Sequence, residues 1–284
     1  MTFFYSLLHN TFLQNALLAG VLLSIAGGIM GSYCVVKKIT SLSGSISHSI
    51  IGGIGLFIFL KYNLNQGWAD PLLGALLSAI LSALLIGFTH LKYKSNEDVI
   101  ISAIWSLGMA IGVIFASFTP NYTVELSNLL FGNILWITGA DLIILLVLDL
   151  LIVACVIIFY RKFLIICFDE ELAILQGLQV KTLYFLLLSL IAISVVLLIQ
   201  IIGIILMLAL LTLPAAIASI FTKKFSHMLL LSIILCCLLN LSGTIVSYEL
   251  NWPPGPSIAL LSAALYLTLL LKKKKKIILS HRRE

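Results

Sequence analysis

The sequence predicts an all-α fold, a polytopic transmembrane bundle of about eight or nine helices, and three observations predict it. Of 284 residues, 61% are apolar and only 10% are charged, whereas a soluble domain carries about 25% charged residues and needs them to cover a wetted surface. The mean hydropathy of +1.18 agrees. Apolar runs recur along the chain at the length of about 20 residues that crosses the hydrocarbon core of a bilayer. The basic residues gather in short clusters between those runs, as they do in loops on the cytoplasmic side. No long stretch reads as soluble, so residues 1–284 form one membrane domain with a cytoplasmic helix within 161–181 and a basic cytoplasmic tail at 272–284.

Taken in order, the spans are expected over 12–36, 45–60, 71–91, 99–118, 139–160, 183–200, 203–221, 228–248 and 257–271. The first ends at Lys37 and Lys38. The second opens in a Ser- and Gly-rich stretch, and it and the last are short enough to extend into their flanks. Asp70-Pro71 starts the third and Lys92 ends it. Thr119-Pro-Asn-Tyr122 follows the fourth. The segment Val124–Leu135, with Glu125, Asn128 and Asn133, is too short to span and reads as a re-entrant or interfacial piece. Thr138-Gly-Ala-Asp141 has the form of a helix start, a Thr N-cap with an acid three residues on, so Asp141 takes a capping role. Leu183–Phe221 carries no charge, yet as one helix it would reach about 58 Å, nearly twice the hydrocarbon thickness. It is expected to break between Gln200 and Gly203. Pro254, Gly255 and Pro256 stop one helix and start the next.

That break also fixes the orientation. With the N-terminus outside and the chain folded back, sixteen of the seventeen basic residues fall on the inner side and only Lys61 falls outside. The C-terminus is then cytoplasmic. The basic clusters lack interleaved aromatics on one face, so nucleic-acid binding is rejected; membrane lipid is the partner of these surfaces. The five cysteines, Cys34, Cys155, Cys167, Cys236 and Cys237, form no CxxC or CxxH pair and read as small apolar fillers of helix interfaces. The N-terminus lacks the basic region of a cleavable signal. No GxxxxGK[ST], HExxH or GxSxG pattern occurs, so no catalytic residue is expected and the chain does not itself bind ATP through a phosphate loop.

Two constellations carry function. The first is Ser41–Gly55, where His48 lies within a span among Ser43, Ser45, Ser47 and Ser49, and Gly44, Gly52 and Gly55 leave room for close backbone approach. An ionisable residue within a membrane is costly and marks a site, and imidazole ligates divalent transition metals; the plainer reading is a histidine bonded to a neighbouring serine. Ser45 and Ser47 are candidate companions on the path. The second is Asp169-Glu170-Glu171-Leu172-Ala173 with Leu175, Leu178 and Gly177, a short amphipathic helix led by acids on the basic side of the membrane. It is either interfacial or a knob that docks into a soluble partner; three acids suit a negatively charged leaflet poorly. His90 and His227 read as headgroup-level residues. Asp149, inside a span, is expected to pair or pack, and Glu249 is placed to attract cations at the outer mouth.

The order of these features resembles the ABC-3 permeases, the membrane subunits of bacterial zinc and manganese, and sometimes iron, importers. Gly31–Lys38, Leu42–Gly55, Leu130-Phe-Gly-Asn133, Asp169-Glu-Glu-Leu-Ala173 with Gly177, Gly203–Ala218 around Pro214, and Pro254–Ser257 are similar to that family's motifs in their order along nearly the whole chain. The resemblance implies a permease of an ATP-driven importer in the bacterial cytoplasmic (inner) membrane, with the permease a homodimer on separate ATP-binding subunits and fed by an extracytoplasmic metal-binding protein. It implies no resident cofactor, only a transported divalent ion. It makes Asp169–Gly177 the ATPase-coupling element and turns His48 toward the ion path. Where many members carry Asp four residues before the histidine, this chain has Gly44, and Asn133 replaces another Asp. Loss of those oxygen donors favours zinc over manganese or iron(II). A secondary transporter or channel working alone is the alternative from another class; it requires intramembrane charges paired across internal repeats, and no such repeat is evident.

Overall fold

A computed structural model describes residues 10–92, 97–119, 130, 132 and 137–281. Nine helices run through them: α1 Thr11–Lys37, α2 Thr40–Asn63, α3 Pro71–Lys92, α4 Glu97–Ser117, α5 Gly139–Phe168, α6 Glu170–Leu175, α7 Val180–Phe221, α8 Phe225–Leu250 and α9 Pro254–His281. Among the described residues, eight of them are long and apolar enough to cross a membrane, α6 being the exception. Most of Val124–Leu135, including Asn133, lies outside the described residues.

The ends are set by local chemistry. Asn10 caps α1, its Oδ1 accepting from the Phe12 and Leu13 amides. Lys38 closes the same helix in the left-handed region at φ 62°, donating its amide to the Cys34 and Val35 carbonyls. At α5 the expected capping box is present: Thr138 Oγ1 accepts from the Asp141 amide, and Asp141 Oδ2 accepts from the Thr138 amide at 3.0 Å. The helix then runs well past the span expected to end at residue 160. It carries Arg161 and Lys162 on about two extra turns that end at Phe168, so the expected 161–181 loop is shorter than the charges alone indicated.

The 42-residue α7 settles the topology. Its first turns lie beside Lys37, whose Nζ is 5.7 Å from the Tyr184 ring centroid. Its last turns, at Ala215 and Ala218, pack on Met228 with Val35 and Val36. A straight helix would put Tyr184 and Ala218 about 51 Å apart; here both ends sit at the lysine-bearing end of α1. The chain reverses at Gly203, whose φ of 79° and ψ of 169° interrupt the helix. Only glycine occupies that region readily. α7 therefore makes two passes, up and back, at the place where the uncharged run was expected to break. Its two limbs are the most buried part of the molecule, enclosed by α1, α2, α3, α5, α8 and α9. All five cysteines are free, with Cys34, Cys167 and Cys236 buried in helix contacts.

Candidate functional site

α2 and α4 run parallel and in constant register. Ser45 Oγ donates to the Ile101 carbonyl at 2.9 Å, His48 meets Trp105, Gly52 meets Gly108 and Gly55 meets Gly112. A Cβ on Gly52 would lie 2.8 Å from the Gly108 oxygen, and one on Gly55 would lie 2.5 Å from that of Gly112. Facing glycines let the two backbones touch, the small-residue packing that membrane helices use in place of a hydrophobic driving force.

This contact presents His48, eight residues into α2 and about 12 Å from its start. The imidazole stacks on the Trp105 indole with ring centroids 4.2 Å apart and planes 17° from parallel. Its Nδ1 is buried and has no hydrogen-bond partner among the described residues, and its side chain is half-buried. The serines around it do not hold it. Ser45 is bonded across to α4, Ser47 Oγ donates to the Gly44 carbonyl at 2.6 Å, Ser43 Oγ donates to that of Thr40, and Ser49 bonds Ser82. At Gly44 a Cβ would stand 3.3 Å from the edge of Trp105, so the indole occupies the space beside that position. Glu249 is exposed at the far end of α8, roughly 20 Å from His48 along the bundle axis, and the two are not brought together. Among the described residues no group of three His, Cys, Asp or Glu side chains could hold a metal ion. A single imidazole of this kind can contact a passing ion and release it.

The second assembly is at the lysine-bearing end, where the three acids that open α6 have three different situations. Asp169 is the N-cap, its Oδ1 accepting from the Leu172 amide at 3.0 Å. Glu170 turns inward to form an ion pair with Lys37 of α1. It also faces His90 Nε2 of α3 at 3.4 Å, and Lys37 Nζ donates to the Ile166 carbonyl of α5 at 3.0 Å. The His90 bond, with Lys37 beside it, holds the Glu170 carboxyl down to about 2, so it stays ionised. Glu171 is exposed. The apolar residues face outward: Leu175 is 85% exposed, with Ile174, Leu172 and Phe168 beside it, while Ala173 is buried and Gly177 ends the turn at φ 71°. His90, in the last turn of α3, thus faces the Glu170–Lys37 pair. Sequence reasoning missed Trp105, Lys37 and His90. A Trp in a span and a basic residue at a helix end are common, and nothing local ties either to a partner on another helix.

A bundle of apolar helices with one imidazole inside it, and a short apolar-tipped helix lashed to one end, defines a multi-pass membrane transport subunit. More particularly, the chain belongs to the ABC 3 transport family, whose model matches residues 9–273. It is 47% identical over 260 residues to a protein of Chlamydia pneumoniae named "Probable metal transport system membrane protein", covering 90% of this chain and 88% of that one. It is 30% identical over 285 residues to the manganese transport system membrane protein MntC of Listeria monocytogenes, covering 100% and 99%. Among solved structures it is similar to a chain of PsaBC from Streptococcus pneumoniae in complex with Fab. The TM-score is 0.82 and the identity 28%, over 94% of this chain and 93% of that one.

Proposed function

We propose that the chain is the membrane permease of an ATP-driven importer for divalent transition-metal ions. The observation that carries the reading is His48, an imidazole within a span whose buried Nδ1 lacks a partner among the described residues. A polar ring stacked on an indole with a buried nitrogen left unbonded is expensive unless it serves a solute. The relatives named for metal transport support the substrate class. The permease performs no bond chemistry. A separate ATP-binding subunit docks at the lysine-bearing end, which is then cytoplasmic together with the C-terminus, and the outward Leu172, Ile174 and Leu175 form the docking tip. An extracytoplasmic metal-binding protein delivers the ion at the opposite end, past Glu249. Two copies of the chain line the path, each bringing one His48, and the bundle sits in a bacterial cytoplasmic membrane.

Zinc is the preferred cargo on ligand chemistry, since imidazole without a carboxylate at position 44 suits zinc better than manganese. A specific observation favours the second reading, manganese: the Listeria relative that aligns over the full chain is named for it. Uptake of radiolabelled zinc and manganese in a strain lacking the chain, complemented with wild type or His48→Ala, tests both. The variant is expected to insert normally and to lose uptake by about tenfold or more, the scale on which metal sites respond to loss of a supporting group. Normal uptake by the variant removes His48 from the path. Restoration of manganese uptake alone decides against zinc.

A further inference from the structure

The proposed ATPase docking raises a question that the exposed tip of α6 does not answer: how movement of a helix of six residues reaches His48. We propose that Glu170 is the positioning residue that transmits it, a clasp through which α6 grips the two helices that govern α2. This rests on the reading of α6 as the docking element and deepens it.

The geometry is specific. Glu170 Oε1 meets Lys37 Nζ and His90 Nε2 at one point. Lys37 is the last residue of α1, and α2 begins at Thr40, joined to it by only Lys38 in the left-handed region and Ile39. A pull on Lys37 therefore acts on the start of the helix that carries His48. His90 is in the last turn of α3, and α3 touches α2 backbone to backbone, with a Cβ on Gly53 only 2.2 Å from the Gly74 oxygen. A pull on His90 thus acts on the flank of the same helix. The Tyr184 ring closes the cluster from the first limb of α7, 4.8 Å from the His90 ring and 5.7 Å from Lys37 Nζ. The three side chains are half-buried or better, at 11%, 26% and 19% exposure for Lys37, Glu170 and His90, so the Lys37–Glu170 pair is screened less than a surface pair. The docking tip is on the other side of α6 and shares none of these atoms. Docking and transmission are therefore carried by different residues of one helix, and they can be separated by mutation.

The experiment uses the full permease co-expressed with its ATPase subunit and reconstituted in liposomes. It measures co-purification of the ATPase, ATP hydrolysis and metal accumulation. Glu170→Gln is expected to co-purify as wild type does and to hydrolyse ATP, while metal moved per ATP falls about tenfold, within the usual range of coupling between sites. Lys37→Glu is expected to behave likewise, and the pair Lys37→Glu with Glu170→Lys is expected to recover most of the coupling, which a packing role alone would not allow. Wild-type metal-to-ATP ratios in Glu170→Gln overturn the proposal. So does equal loss in the single and exchanged variants when all of them remain monodisperse and bound to the ATPase. If the wild type itself neither binds an ATPase nor moves metal, the functional reading fails first, and the clasp fails with it.

Discussion

Asp149 shows how far a single residue can be read. Its place within an otherwise uncharged run marks it as costly, and pairing or packing was the expectation. In the fold it is 3% exposed on the inward face of α5, in line with Leu145, Ile152 and Val156, and neither carboxyl oxygen has a partner among the described residues. A buried polar group without a hydrogen bond costs about 1–3 kcal/mol by mutational measure. Asp149→Leu is accordingly expected to raise thermal stability in detergent by about that amount, read as a higher midpoint in a size-exclusion melting series. A fall in the midpoint would mean that the carboxyl is bonded in the assembled transporter. The same cost argument picks out His48 from sequence. It cannot supply Trp105, because the stack depends on the register of α2 against α4, which is fixed by facing glycines fifty-six or so positions apart.

At the scale of the element, α6 was legible as an amphipathic helix led by acids, and its orientation was not. Composition gives two faces and does not say which one the bundle takes. The structure turns Ala173 and Glu170 inward and leaves Leu172, Ile174 and Leu175 outside, because a carboxylate with Lys37 and His90 to meet gains more from the bundle than a leucine does. On the proposed reading the apolar tip meets the ATPase subunit, with Asp169 as the cap and Glu170 as the clasp. Leu175→Glu is expected to abolish co-purification of the ATPase subunit while the permease stays monodisperse. Asp169→Ala, which removes only the N-cap, costs about 1 kcal/mol of local stability and is expected to leave binding within a few-fold. Should Leu175→Glu retain the ATPase and Glu171→Lys lose it, the acids rather than the apolar tip make the contact.

For the whole molecule, the chain's orientation depends on one glycine. Among the described residues, the reversal within α7 puts Lys37, Lys92, Lys181, Lys223 and Lys272 at one end, whereas a straight α7 would send everything after Gly203 to the other. The sequence carried this through length and charge: an uncharged run of nearly twice the bilayer thickness had to fold back, and only a break kept the C-terminal lysines with the others. The position of the break was readable because glycine tolerates φ 79° with ψ 169° and other residues do not. Single cysteines in a cysteine-free background test the arrangement in intact cells with a membrane-impermeant maleimide. Glu249→Cys, at the end opposite the lysines, is expected to react before lysis; Glu171→Cys and Lys272→Cys are expected to react only after it. Glu171 and Lys272 lie on opposite sides of the Gly203 reversal in the chain, so their agreement is the decisive feature. Reaction of Lys272→Cys from outside, with Glu171→Cys protected, would mean that α7 crosses once; reaction of both from outside would invert the bundle and place the apolar tip of α6 beyond the reach of any ATP-hydrolysing partner.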